Sequence, residues 1–374
     1  MNLLDPLYLI LASILIIGYW LVPRIWRLWY LSIGSGLILS FFSWISAIML
    51  VIISILTLIA LRFPANRLIH GLWGIIILIL IFIAYRALPS NNIIILIGLA
   101  FYLLKAIHFL MENYKGHLGK ISTDMLFAYL MFFPSLLIGP IHRYKEFQSD
   151  WQRQTFDKSI ISLALERLIW GYAKLVILAD YLFNRKIMNF ITTIEADYPR
   201  LAEYLLSLQY GFHLYFSFSG ATDIAIALAL MLGFRLNENF NNPFLSTNIA
   251  EFWRRWHISL SDWCRSYIYQ PVASLTRNHQ LAIVATMIGI GLWHELSFRY
   301  LLWGGYHALG LVVYYKFTNS FGQTIENYYK DRVIMLWIIK IISVLITFNF
   351  VILGFEITRS QDIIQNYQRL IFGG

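Results

Sequence analysis

The chain has 374 residues, of which 59% are hydrophobic, 17% aromatic and only 13% charged, about half the charged fraction of a typical soluble domain (~25%). Its formal net charge is +9, which in so apolar a chain fits the positive bias of membrane-flanking loops and excludes a nucleic-acid reading. Apolar runs are continuous rather than alternating, which excludes a β-barrel and leaves a polytopic all-α integral membrane protein.

In chain order, spans are expected at about residues 6–22, 28–43, 45–61, 72–88, 92–110, 123–140, 160–183, 203–234, 281–297, 299–317 and 333–355, or roughly ten or eleven membrane segments. Leu28 to Leu61 holds no charge. As one helix it would be about 50 Å long, against a hydrocarbon core of about 30 Å, so two short spans broken near Ser43–Trp44 are expected. In the 203–234 stretch Gly220 marks a break or a kink. Basic pairs flank spans at Arg24/Arg27, Arg62/Arg67 and Lys330/Arg332. Asp5 precedes the first apolar run and no basic region leads it, so no cleavable signal is expected. No fixed-period repeat or low-complexity linker appears. One domain, 1–374, is expected.

Two connecting regions are polar yet rich in aromatic residues, 139–158 and 237–278. That composition suits helices at headgroup depth. In "AEFWRRWHISLSDW", Glu251 and Arg255 have ion-pair spacing. Trp253, Trp256 and Leu260 share one face of a helix, and Arg254, His257 and Ser261 share another. The stretch is expected to be one amphipathic helix, with Ser246, Thr247 and Asn248 as available N-cap types.

His294 ends the apolar run 281–293 beside Trp293, and an ionisable residue at such depth is a functional hypothesis. His257 is the second candidate. The alternative for each is an ordinary structural or interfacial histidine. No HExxH and no carboxylate cluster with ligand spacing occurs, and the single cysteine, Cys264, excludes a multi-cysteine zinc site. "FSFSGATD" lacks the first glycine of a nucleophile elbow, and no phosphate-binding P-loop is present. Histidine as a general base remains.

Five blocks in order carry a resemblance: "FFPSLLIGPIHRYKEF", "LIWGYAKLVILADYL", "YFSFSGATDIAIALALMLGFRLNENFNNPF", "EFWRRWHISLSDWCRSYIY" and "GLWHELSFRYLLWGGYHALGLV". Together they resemble the membrane-bound O-acyltransferase family, in its bacterial branch of polysaccharide O-acetyltransferases and teichoic acid D-alanyltransferases. The likeness runs from about Gly98 to the C-terminus and implies variable helices over 1–97, a catalytic core over 98–317 and a C-terminal loop and helix over 318–374. It implies tilted helices around a central tunnel that is open towards both membrane faces. His294 matches the family's catalytic histidine and His257 its second characteristic one. The usual "YFDFSGYSD" reads "YFSFSGATD" here, with Ser217 for the first Asp and Ala221 for the Tyr, while Asp223 is kept. A role of that first Asp does not carry over. Buried Asp223 needs a partner, with Arg235 or a backbone donor as options.

The reaction so implied is acyl transfer from a thioester to a carbohydrate hydroxyl. Arg254, Arg255 and Arg265 are candidates for a donor phosphate, or else contacts to lipid headgroups. Trp256, Ser261, Asn239, Trp293 and Asp223 complete the candidate binding set. No metal and no tightly bound cofactor is required. The donor is acetyl-CoA or an acyl carrier protein's phosphopantetheine. The expected partners are an extracytoplasmic acyltransferase protein, an envelope polysaccharide and membrane lipid, in the cytoplasmic membrane. Acetyl leads because "RRWHISLSDWCRSYIY" and "FNFVILGFEITRS" look like the acetylating members. "YLLKAIHFLMENYKG" resembles the D-alanyl branch, which stays open, as does a transporter or scaffold on the same fold.

Overall fold

The computed structural model describes residues 3–61, 67–87, 96–329, 332–360 and 362–372, with the side chains of 67–70, 323–327 and 329 excluded. Arg62 and Lys330, and the ends of the expected spans at 88 and 92–95, lie outside the described residues. Among those described, every regular element is helical, apart from an isolated antiparallel bridge between Phe240 and Trp256. Among the described residues four helices are long and apolar enough to cross a membrane: Arg24–Phe42, Trp44–Leu61, Pro199–Met231 and Val333–Arg359. Large apolar side chains such as Ile25, Phe41 and Ile334 are exposed on these surfaces, as lipid-facing residues are.

The chain divides into two compact units, one of residues 1–173 with 220–237, the other of 174–219 with 238–374. The first unit contains α1 (Pro6–Leu21), α2 (Arg24–Phe42), α3 (Trp44–Leu61), α4 (Arg67–Ala87), α5 (Leu99–Tyr114), α6 (Thr123–Leu130), α7 (Tyr144–Arg153) and α8 (Lys158–Ala173). The expected break between α2 and α3 falls at Ser43, whose Oγ accepts the N–H of Ser46 at 3.2 Å. The expected single span over 123–140 is instead the eight-residue α6 and one 3-10 turn at Phe133–Ser135. Pro134 has no N–H to continue a helix, and Pro140 follows. Behind α6, Phe147 stacks on Phe234 at 4.5 Å. Lys105 of α5 is buried there, with Nζ donating to Ser135 Oγ at 3.3 Å and lying 4.9 Å from the Tyr129 ring.

Gly220 does not interrupt its helix: α10 runs unbroken from Pro199 to Met231. At this level the bare Gly171 of α8 permits a close crossing. A Cβ on Gly171 of α8 would sit 2.9 Å from the Gly220 carbonyl oxygen.

The second unit begins with wide π-type turns over Lys174–Ile187, followed by α9 (Met188–Ile194) and the first two-thirds of α10. It then has three short helices, α11 (Ile249–Arg255), α12 (Ile258–Cys264) and α13 (Gln270–Thr276). The long α14 (His279–His294), α15 (Phe298–Tyr329) and α16 (Val333–Arg359) follow, with α17 (Ile363–Phe372) last. Helices α14 and α15 approach closely at two glycines. A Cβ on Gly291 would meet the Tyr300 oxygen at 2.3 Å, and one on Gly304 the Met287 oxygen at 2.6 Å.

Candidate functional site

The expected single helix through "AEFWRRWHISLSDW" is broken in two. Asn248 caps α11, its Oδ1 accepting the Glu251 N–H at 2.8 Å. Glu251 then holds Arg255 at 2.6 Å, the i,i+4 pair that the sequence predicts. At Trp256 the backbone turns extended to pair with an earlier segment. Asn241 N–H donates to the Arg255 carbonyl at 3.0 Å, and Ile258 N–H to the Asn239 carbonyl at 3.0 Å. The side chain of Asn239 adds a third bond, Oδ1 accepting from Ser259 N–H at 3.2 Å.

Between these bonds His257 adopts φ 43° and ψ 54°, the left-handed region that costs a non-glycine residue about 1–2 kcal/mol. Its carbonyl starts α12 by accepting from Leu260 and Ser261 at 3.1 and 3.0 Å. The turn directs the imidazole inward, where it is 2% exposed. Burial first, and the neighbouring His294 second, push the His257 pKa well below the usual histidine value, so the ring is neutral.

His294 is the last residue of α14, which ends where Glu295 turns extended and its N–H closes on the Gly291 carbonyl at 3.1 Å. Glu295 itself pairs with Arg299 at 2.5 Å. His294 is half-buried, stacked 5.7 Å from Tyr300 and edge-on to Trp303 at 5.7 Å. Trp293 bridges the two histidines, with its ring 4.8 Å from His294 and 6.0 Å from His257.

His257 and His294 line one cavity of about 100 Å³, with Phe218, Trp256, Tyr300, Trp303, Phe355 and Thr358 among its other walls. Phe218 meets the His257 ring edge-on at 4.7 Å. Phe355 and Thr358 come from α16, which is fixed against α10 by a buried network. Arg359 pairs with Glu356 at 2.6 Å and with Glu203, while Ser207 Oγ donates to Glu356.

The other expected site residues separate into groups. Trp256 shares the histidine cavity. Arg254, Ser261 and Arg265 line a different cavity of about 500 Å³, with Trp253, Ile283, Met287 and Leu311. The expected common face of Arg254, His257 and Ser261 is therefore absent, because the left-handed turn sends His257 the other way. Trp253 and Trp303, one from each cavity, meet at 5.8 Å. Arg265 is paired with Asp262 at 2.8 Å and Arg255 with Glu251. Asn239 is fully buried and holds the His257 turn.

Asp223 belongs to the first unit. Arg167 of α8 pairs with it, donating through Nε at 3.1 Å and a terminal nitrogen at 2.9 Å. Arg235 instead donates its backbone N–H to Asp150 at 2.7 Å.

Sequence reasoning missed Phe218, Tyr300, Trp303, Phe355 and Thr358. Trp303 carried a signal, since it stands in the same block as His294, with His307 four residues on. His307 is fully buried, its ring 4.8 Å from that of Trp303. Among the described residues no three His, Cys, Asp or Glu groups cluster in a way that could hold a metal ion.

This geometry places a half-buried histidine beside a buried neutral one in an aromatic pocket, an arrangement suited to moving a proton under a carbonyl. The model of the membrane-bound O-acyltransferase family matches residues 9–354. Among curated proteins, the probable alginate O-acetylase AlgI of Pseudomonas aeruginosa is 32% identical over 73% of this chain and 50% of its own length. The teichoic acid D-alanyltransferase of Bacillus subtilis is 29% identical over 72% of this chain and 70% of its own. The peptidoglycan O-acetyltransferase of Helicobacter pylori is 28% identical over 73% and 55%. The chain thus spans about half the length of the alginate relatives it matches. Four apolar helices and a family match that covers most of the sequence lead to one conclusion: the chain is a multi-pass membrane protein that belongs to the membrane-bound O-acyltransferase family.

Proposed function

We propose that this protein transfers an acyl group, acetyl first, from a thioester donor to a hydroxyl of an envelope or extracellular polysaccharide, or of a carrier on its export route. The observation that carries the reading is the shared cavity of His257 and His294. His294 takes the proton of the sugar hydroxyl as its oxygen bonds to the thioester carbonyl carbon. The carbon–sulfur bond then breaks, and the imidazolium returns its proton to the leaving thiolate. Ester and thiol are formed, and His294 is neutral again. A donor to the tetrahedral oxyanion contributes about 3–4 kcal/mol, and His257 is assigned that role or the orientation of the acceptor. No metal or tightly bound cofactor is needed for these steps.

Arg254, at the larger cavity, is the arginine of the set left outside the two i,i+3 and i,i+4 ion pairs and is assigned to a donor phosphate. The donor is acetyl-CoA or a carrier-borne phosphopantetheine. The site lies in the cytoplasmic membrane and hands over to an extracytoplasmic acyltransferase. The whole chain, 1–374, forms the catalytic domain, with 98–317 as its core.

D-alanyl transfer is the second reading, favoured by the name of the Bacillus relative. Mild base treatment of envelope glycans from cells with and without this protein, followed by mass spectrometry of the released acid, separates the two. Acetate supports the first reading and D-alanine the second. Release of neither favours a transporter or scaffold on the same fold.

A further inference from the structure

A third cavity, of about 790 Å³, lies at the junction of α13, α14 and α15, away from the histidines. Its walls include Arg277, His279, Lys316 and Asn319, and no Asp or Glu among the described residues. Arg277 ends α13 in the left-handed region, at φ 52°, a strained conformation for a residue with a side chain. Among the described residues neither Arg277 nor Lys316 has a carboxylate within ion-pair distance. The N-terminal turn of the sixteen-residue α14, from Asn278 onward, forms part of the same wall and adds the positive end of its dipole. Two unneutralised cations and a helix N-terminus thus converge on one space.

Exposed apolar residues adjoin the lining in sequence. Leu275, beside Thr276, is 85% exposed, and Val313 and Phe317, beside Val312 and Lys316 on α15, are each more than half exposed. The bases of the cavity, Ile283 and Val312, are apolar too. Exposed apolar side chains of a membrane protein lie against hydrocarbon, so lipid is already present beside the two cations. A molecule with a phosphate head and hydrocarbon chains satisfies both parts at once, as basic pockets between membrane helices do with anionic lipid.

We propose that the cavity bounded by Arg277, Lys316 and the N-terminus of α14 binds the headgroup of an anionic phospholipid, whose chains cover the exposed face of α15. Tyr269, Ile283 and Tyr315 line both this cavity and the one at Arg254. A lipid seated here therefore buttresses a wall of the neighbouring cavity. The proposal is independent of the acyl-transfer reading.

The test uses the full chain, purified in detergent and incubated with equal amounts of phosphatidylglycerol and phosphatidylcholine, with retained lipid counted by native mass spectrometry. Phosphatidylglycerol is expected to be retained preferentially. In Arg277→Gln/Lys316→Gln its retention falls about 30-fold, as two headgroup charges are lost. Arg277→Lys/Lys316→Arg keeps it. Thermal unfolding shows whether the neutral double variant is folded. If it is not, Lys316→Gln alone, at an exposed position, supplies the comparison. Equal retention of the two lipids, or undiminished phosphatidylglycerol in the folded neutral variant, overturns the proposal. So does displacement of the lipid by inorganic phosphate or by coenzyme A, since the occupant is then a soluble phosphate compound.

Discussion

Asn239 holds the backbone on the far side of His257 at two points, its carbonyl accepting from Ile258 and its Oδ1 from Ser259. The imidazole faces the cavity only while that turn is kept. Replacing Asn239 by Ala removes the side-chain bond to the buried Ser259 N–H, worth about 0.5–1.5 kcal/mol. The expected loss of transfer rate is about 100-fold, the scale of a catalytic group displaced by about 1 Å. Asn239→Asp keeps the accepting oxygen and is expected to recover most of the rate. Initial rates of the three proteins at equal membrane abundance check this. Equal loss in Ala and Asp would mean that the bond to Ser259 is not what matters.

The left-handed backbone of His257 makes a second prediction, in which stability and activity part. His257→Gly relieves the strain and loses the ring, whereas His257→Ala loses the ring and keeps the strain. The glycine variant is expected to be more stable than the alanine variant by about 1 kcal/mol. Both are expected to lose transfer activity. Thermal midpoints in one detergent give the comparison. An alanine variant as stable as the glycine variant would contradict the strain.

Because burial depresses the His257 pKa, the native ring stays neutral where the unfolded one takes up a proton. The unfolded state therefore binds more protons below about pH 6.5, and this residue's contribution is full above that pH and declines as pH falls through it. His257→Gln is expected to flatten the decline in thermal midpoint between pH 6.5 and pH 5 relative to the wild type, as unfolding scans across that range show. A parallel decline in both proteins would contradict a neutral buried ring.

The Arg167–Asp223 pair is a structural link in the first unit. Removing Arg167 takes away charge-assisted bonds that are largely shielded from water, and Arg167→Met is expected to destabilise the protein by about 1–3 kcal/mol. Arg167→Met/Asp223→Leu is expected to recover much of that loss, since the carboxylate is gone too. Detergent unfolding of the single and double variants reads the difference. Additive losses would contradict the pairing.

Local signals in the sequence were legible wherever local chemistry decides. The uncharged run from Leu28 to Leu61 is too long for one span and divides at Ser43. Asn248 caps α11 and Glu251 pairs with Arg255 at helical spacing. The break at Trp256–His257 was not legible. Nothing in "FWRRWHISLS" disfavours a helix, and the turn is imposed by pairing with Asn239–Asn241, a segment from outside the motif. Asp223 likewise finds a partner on another helix, at Arg167. Gly220 did not divide its helix, since α10 continues through it. Pro134, by contrast, is a visible stop within 123–140, and it outweighs the hydrophobicity around it.

The most direct measurement of the central claim compares cells that carry the wild-type protein with cells that carry His294→Ala, at equal protein abundance in the membrane. Ester-linked acyl groups on the envelope glycans are released by mild base and quantified by mass spectrometry. If His294 is the base, the ester falls to the background of cells lacking the protein. Ester at wild-type levels in the His294→Ala cells would contradict the assignment and turn attention to a transport or scaffold role.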